Sequence, residues 1–344
     1  MNESIIQMLP AEKPLLLEVL QWGIEVIKVI QRIETPGLTA LVKFISALGT
    51  EMFYAPFILF MFWWIDEKRG LRFGILILVT AWINSFMKDL FKQPRPFNFE
   101  PSLGLARESS YGAPSGHAQM SLVFWIPMAA WLSQAWATGR KRRLIWVFVI
   151  FFLLLIGFTR LYLGVHFPTD LFAGWLFGGI ILVLWFIPGP YMEKFLAAGG
   201  ARIQNICAAG LALLMIVIYP NDKSLPALFL GFCIGYSLMK SRFPFFARAA
   251  IKGKKPGVPV MIVRCVTGFL GIAVIYLGLR LIFPGEGSLF KDIPVWGANS
   301  PFYEIGRFLR YGLAGFWASA GAPKMFQRMG LAATAESSGL NGKP

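Results

Sequence analysis

The sequence predicts an all-α, polytopic integral membrane helical bundle of about nine transmembrane helices, preceded by N-terminal interfacial helices. Three observations carry that prediction. The chain of 344 residues is 56% hydrophobic and 15% aromatic. Its mean hydropathy of +0.60 is too high for an ordinary soluble domain. Apolar runs close to the roughly 20 residues that a bilayer-spanning helix needs recur along the chain, separated by polar loops.

The first 50 residues differ from the rest. Residues 14 to 33 are apolar but interrupted by Glu18, Glu25, Lys28 and Arg32. Such charges cost roughly 2.5 to 3.5 kcal/mol each at the bilayer centre, so a helix lying in the interface is expected. Pro36 and Gly37 break the pattern before a second short amphipathic stretch at 38 to 48. Residues 1–50 are read as amphipathic interfacial helices, with an acidic balance that suits an external position. No charged leader, apolar run and small-residue cleavage site follow one another, so no removable signal peptide is expected. Candidate spans then fall at 51–65, 70–88, 116–137, 144–163, 168–188, 201–219, 225–239, 258–283 and 305–322. The first and seventh are short, and the last carries Arg307 and Arg310. Residues 331–344, rich in Ala, Ser and Gly, are expected to form a disordered tail.

The net charge of +15 is distributed by loop. One set of loops holds Lys68, Arg69 and Arg72, then Arg140 to Arg143, then Lys194 and Arg202, then the basic run from Lys240 to Lys255. The opposite set is poorer in Lys and Arg, and Lys88, Arg95 and Arg160 among its cations belong to the motifs below. Cytoplasmic loops are the basic ones, so the motif loops are placed on the non-cytoplasmic side of a bacterial inner membrane or an organelle membrane. A nucleic-acid-binding protein would gather its charge on one soluble face, so no nucleic-acid partner is expected. The run from Lys240 to Lys255 suits anionic lipid head groups, though topology alone accounts for it. Cys207, Cys233 and Cys265 all lie in candidate spans, and their odd number and wide spacing fit neither a zinc site nor a disulfide framework.

The chain has two histidines, and both sit in short polar motifs within apolar sequence. His117 closes Pro114-Ser115-Gly116-His117. Ser115 could simply cap the following helix, yet a helix N-terminus with a glycine is also where an anion approaches backbone N–H groups. Lys88 could snorkel to the membrane surface. Arg95, held between Pro94 and Pro96, is aimed by a stiff loop, and Lys92 competes with Lys88 for the same role. Arg160 lies deep in an apolar run and needs a partner or a ligand. His166 and Asp170 share the spacing that joins side chains on one helical face, with Pro168 in the first turn. A carboxylate on one ring nitrogen fixes the tautomer and raises the basicity of the other. Three cations, two imidazoles and one carboxylate suit a phosphoester. No clustered Asp, Glu or His set suggests a metal, so no cofactor is expected. In the later spans, Arg264 is expected to be paired in the bundle or to line a polar path, and Arg280 to snorkel.

Lys88 to Pro96, Pro114 to His117 and Arg160 to Asp170 together resemble the three-part signature of the type 2 phosphatidic acid phosphatase superfamily, with the order and spacing in agreement. Thr159 stands where many members have serine. The spans within 51–188 resemble that family's helical core, leaving 189–330 as additional transmembrane helices. The resemblance implies a metal-independent membrane phosphatase in which His166 attacks phosphorus, Asp170 orients it, and His117 protonates the leaving group and then activates water. Lys88, Arg95, Ser115, Gly116 and Arg160 would hold the phosphoryl oxygens. Phe91, Phe97 and Phe99 beside the site favour a phosphorylated lipid, of phosphatidic acid, lysophosphatidic acid, sphingosine-1-phosphate or polyprenyl diphosphate type. The longer layout resembles sphingosine-1-phosphate phosphatases and also glucose-6-phosphatases, and Asp170 fits the lipid enzymes better. A transporter or flippase is the reading from another class, and it requires function to survive loss of His166.

Overall fold

The computed structural model describes residues 14–136, 138–251, 253–283 and 301–334. Among these residues the regular structure is helical, apart from one isolated bridge between Ile251 and Lys254. The helices run in order α1 (Pro14–Gln31), α2 (Pro36–Ala47), α3 (Glu51–Phe60), α4 (Glu67–Phe91) and the single turn α5 (Pro96–Phe99). There follow α6 (Gly116–Trp136), α7 (Gly139–Tyr162), α8 (Pro168–Phe186), α9 (Gly189–Ala198) and α10 (Gly200–Ile218). Last come α11 (Ser224–Arg242), α12 (Val258–Ile282), α13 (Pro301–Phe316) and α14 (Ala322–Arg328). Widened π turns extend α3 over Met61–Ile65 and join α13 to α14 over Trp317–Gly321.

Five of the nine expected spans coincide with stretches that length and composition alone qualify to cross a membrane. Among the described residues five stretches are long and apolar enough to cross a membrane: Glu67–Phe99, Gly139–Tyr162, Pro168–Phe186, Gly200–Ile218 and Val258–Ile282. A sixth is added if Pro36–Ala47 and Glu51–Ile65 count as one broken span. The candidates at 116–137, 225–239 and 305–322 are helical over Gly116–Trp136, Ser224–Arg242 and Pro301–Phe316 and carry polar side chains. Gln119, Ser121 and Ser133 interrupt α6, Lys240 and Arg242 end α11, and Glu304, Arg307 and Arg310 stud α13. The expected tail falls only in part among the described residues. Ala332 and Ala333 are buried, and residues 335–344, like Lys252, lie outside the described residues.

The chain divides into two compact units that do not follow the linear order. The first comprises the residues up to Ala55 together with Ile83–Ile187, and the second comprises Pro56–Trp82 together with the residues from Pro188 on. The early part of α4 therefore packs with the C-terminal helices, while its end, bearing Lys88, belongs with the motifs.

In the first unit α1 and α2 lie against the motif loops. Thr35 accepts a hydrogen bond from the Leu38 amide and starts α2, with Pro36 in its first turn. Leu20, Ile24 and Ile27 of α1 pack on Phe99, Leu103 and Phe167, and Val42 of α2 packs on Tyr162, Leu163 and Val165. Gln31 Nε2 donates to the carbonyls of Leu103 and Tyr162, each at 2.8 Å. Phe99, one of the three phenylalanines expected beside the site, is buried edge-on against Phe167. After α7 the chain reverses at Gly164, whose φ of +66° puts it in the left-handed region. A Cβ there would run into the Leu103 carbonyl, so this turn requires glycine to deliver residues 165–167 to the site.

In the second unit Phe62, Trp63, Phe232, Phe245 and Phe326 form the core, and the Trp63 indole donates to the Ala318 carbonyl at 2.8 Å. Arg264 is fully buried there. Its guanidinium donates to the carbonyls of Trp63, Ala247 and Leu331 and lies 5.3 Å from the Phe245 ring centre. It is a staple joining three chain segments. Arg264→Leu strands those three carbonyls in the interior and is expected to cost on the order of 3 kcal/mol, read as a lowered thermal unfolding midpoint in detergent.

Candidate active site

The site is assembled from helix ends and the loops between them, all within the first unit. Such ends are where polar side chains emerge from an otherwise apolar bundle and where backbone N–H and C=O groups are free. Lys88 comes from the last turn of α4, and Arg95 is the residue that precedes α5. Ser115, Gly116 and His117 form the start of α6, Arg160 the end of α7, and His166 and Asp170 the start of α8.

His166 and Asp170 are both fully buried, and Nδ1 of His166 lies 3.2 Å from Oδ2 of Asp170. The same oxygen accepts the Phe167 amide at 2.9 Å, while Oδ1 accepts from Gln93 Nε2 at 2.6 Å. The carboxylate is thus fixed by three donors. On the far side of the ring, Arg95 Nη1 approaches His166 Nε2 to 3.3 Å. A guanidinium can only donate. These neighbours therefore place the ring proton on Nδ1 and the lone pair on Nε2. Burial first, then the positive charges of Arg95, Arg160 and Lys88, holds the imidazole well below the ordinary histidine range, so the ring is neutral near neutral pH.

Arg95 is 1% exposed. Besides His166 it donates to the carbonyls of Ser110, Tyr111 and Val165 and to the Ser110 hydroxyl. Lys88 Nζ reaches the Tyr111 carbonyl at 2.8 Å and Ser110 Oγ at 3.2 Å. Its competitor Lys92 is exposed and has a positive φ of 48°. Arg160 Nη1 donates to Ser46 Oγ at 2.6 Å. His117 is partly exposed, and a Cβ on Gly49 would lie 3.2 Å from its ring. Thr159 turns its hydroxyl back to the Ile156 carbonyl at 2.6 Å, committing it to its own helix.

Two buried polar atoms of this cluster make no hydrogen bond: Ser115 Oγ and Arg160 Nε. Ser115 is therefore no side-chain cap for α6; its amide donates instead to the Asp170 carbonyl at 2.9 Å. Buried donors left unmatched destabilise a protein unless a ligand meets them, and both suit the oxygens of an oxyanion.

Four participants escaped the sequence reading. Glu108 bridges Arg95 and Arg160. Gln93 orients Asp170. Asn84 donates to Gln119 and to the Pro114 carbonyl, bracing the loop before α6. Ser46 arrives from α2. Gln93 stands inside the Lys88–Arg95 motif, which was its only available signal. Among the described residues no three His, Cys, Asp or Glu side chains converge as a metal site.

A helical membrane bundle holding a buried imidazole–carboxylate pair among cations defines the class of membrane phosphatases. The chain carries a PAP2 superfamily domain, matched over residues 69–191, and the transmembrane extension of PAP2 superfamily phosphatases, matched over residues 224–334. Members of this family are lipid phosphatases, which are hydrolases. The chain is 26% identical over 259 residues to sphingosine-1-phosphate phosphatase 2 of Mus musculus, covering 70% of this chain and 72% of that protein. It is 29% identical over 166 residues to the undecaprenyl-diphosphatase of Sulfolobus acidocaldarius, covering 47% of this chain and 76% of that one. Among solved structures it is similar to the transmembrane PAP2 type phosphatidylglycerolphosphate phosphatase from Bacillus subtilis, with 26% identity, 52% of this chain and 88% of that chain covered, and a TM-score of 0.44.

Because the buried Ser115 Oγ bonds nothing in the free protein, Ser115→Ala is expected to leave the unfolding midpoint unchanged or raised, never lowered. Affinity for inorganic phosphate should fall about tenfold, measured by isothermal titration. The depressed value of His166 gives a second expectation. Below the ordinary histidine value of 6.5 the unfolded chain takes up a proton that the native site refuses, so stability falls as pH falls through that value. The midpoint measured across that range should show a shallower slope in His166→Ala.

Proposed function

We propose that the protein is a metal-independent membrane phosphatase that hydrolyses lipid phosphate monoesters through a phosphohistidine on His166. One observation carries the reading: a fully buried His166 with its Nδ1 held by Asp170 and its Nε2 turned toward Arg95. In this reading Nε2 attacks phosphorus and the ester P–O bond breaks. The departing alkoxide takes a proton from His117, which later withdraws one from the water that cleaves the phosphohistidine. Arg95, Arg160 and Lys88 offset the charge on the equatorial oxygens, with Ser115 Oγ and the Gly116 backbone completing the cradle. Phosphoryl transfer is largely positioning and charge compensation, which three cations supply without a metal.

Support for a lipid substrate comes from the surroundings. An apolar groove lined by Trp22, Leu154, Phe158, Pro168, Leu171 and Trp175 lies in the same unit as the site. A monoester of the sphingosine-1-phosphate type is favoured, because the similarity to the mouse phosphatase spans much more of this chain than does the similarity to the archaeal diphosphatase. The basic loops favour a site on the non-cytoplasmic face.

The test is phosphate release by purified protein in detergent with EDTA present, from phosphatidic acid, lysophosphatidic acid, sphingosine-1-phosphate, a polyprenyl diphosphate and glucose-6-phosphate. Release in EDTA, an acid-labile phosphoenzyme on rapid quench, and loss of both in His166→Ala are expected. Full activity in His166→Ala would overturn the mechanism. Folded wild-type protein that releases nothing from any substrate would favour transport.

A further inference from the structure

Glu108 occupies the place that the phosphatase reading assigns to the substrate. Its Oε2 lies 2.7 Å from Arg95 Nη2, and its Oε1 takes Nη2 of Arg160. One carboxylate therefore spans two guanidiniums with two oxygens, as two oxygens of a phosphoryl group would. The two arginine side chains are 1% and 4% exposed, whereas that of Glu108 is 29% exposed. It enters from the open side, on a stretch whose neighbours Arg107, Ser109 and Ser110 are exposed. Burial pushes its carboxyl up, but Arg160 and Arg95 outweigh that and hold it below the usual carboxylate range, so it is an anion. The Nε of Arg160, its own ion-pair partner, and the Ser115 Oγ of the same site remain unmatched. The carboxylate satisfies part of the cradle and leaves the rest unmet.

We propose that Glu108 is a tethered anion that fills the phosphoryl pocket of the resting protein, and that its displacement sets an affinity threshold which phosphate monoesters clear and phosphodiester head groups do not. The proposal rests on the phosphatase reading above. A membrane presents this site with abundant phosphodiesters, each carrying one negative charge, whereas a terminal phosphate carries nearly two and offers three free oxygens. Two unoccupied buried arginines would bind the diesters unproductively. A side chain held beside its own binding site competes at an effective concentration in the millimolar range. Every ligand must overcome that competitor equally, so weak monoanionic ligands drop below useful affinity first.

The test uses full-length protein in detergent at a pH of about 8, where phosphate is a dianion. Binding of inorganic phosphate and of dimethyl phosphate is measured by isothermal titration for wild type, E108Q and E108D. Turnover is measured in mixed micelles with phosphatidylglycerol as competitor. Displacement predicts that E108Q binds both ligands more tightly by a similar factor, about tenfold or more, and that phosphatidylglycerol becomes a competitive inhibitor. E108D, with its carboxylate drawn back by one methylene, should move the same way by less, and it decides the matter if E108Q does not fold. Unchanged affinities would overturn the proposal. So would a gain for phosphate far larger than for dimethyl phosphate, since that marks a distant charge effect and not a shared displacement. Wild type already inhibited competitively by phosphatidylglycerol at the monoester concentration would overturn it as well. Wild type that neither binds phosphate nor releases it from any substrate would instead overturn the phosphatase reading itself.

Discussion

A guanidinium that cannot reach water must have its donors met where it lies, and Arg95 shows how much structure that demand organises. Its donors go to Ser110, Tyr111, Val165, His166 and Glu108. Three stretches distant in sequence are thereby drawn onto one side chain: the loop after α4, the loop before α6 and the turn before α8. Pro94 and Pro96 limit the conformations available to the residue between them, so the arginine is delivered in a restricted pose. Lys88 reinforces the same loop through Tyr111 and Ser110. The cations that would hold a substrate are thus also the struts of the site.

Two buried arginines of this chain illustrate different uses of one residue type. Arg264 is met by backbone carbonyls and an aromatic ring, with no carboxylate among the partners described for it. That is a closed arrangement with nothing left to bind. Arg160 keeps Nε unmatched, shares a carboxylate with Arg95 and takes a hydroxyl from α2. Depth in the bundle is common to both, and only the partner chemistry separates a staple from a binding group. Asp170 completes the contrast, since every donor around it serves to hold one imidazole still.

The motif residues were legible because polar side chains stand out against apolar sequence, and because helix ends are the natural outlets for them in a bundle. Lys88, Arg95, Ser115, His117, Arg160, His166 and Asp170 come together in one unit for that reason. Glu108 was not legible, since an acidic residue in a loop is ordinary until its distance from two arginines is known. Ser46 was hidden in a helix read as interfacial, where a serine carries no signal. Ser115 looked like a helix cap by type, yet its hydroxyl caps nothing. The number of spans is not fixed by hydropathy, which shows that a stretch is apolar without showing whether lipid or other helices cover it.

The division into units bears on how such a chain could be shortened. Residues Pro56–Trp82 precede every motif but pack with the C-terminal helices. Trp63 bonds Ala318, Phe62 packs against Phe232 with the rings tilted and Glu67 accepts the Ala247 amide at 3.0 Å. A chain ending after Ile187 would not be a minimal enzyme, because it would expose a large aromatic face on the very helices that lead into Lys88. The later helices are woven into the fold from its first third, so they are no detachable module, and excising them would require redesigning residues far upstream of the cut.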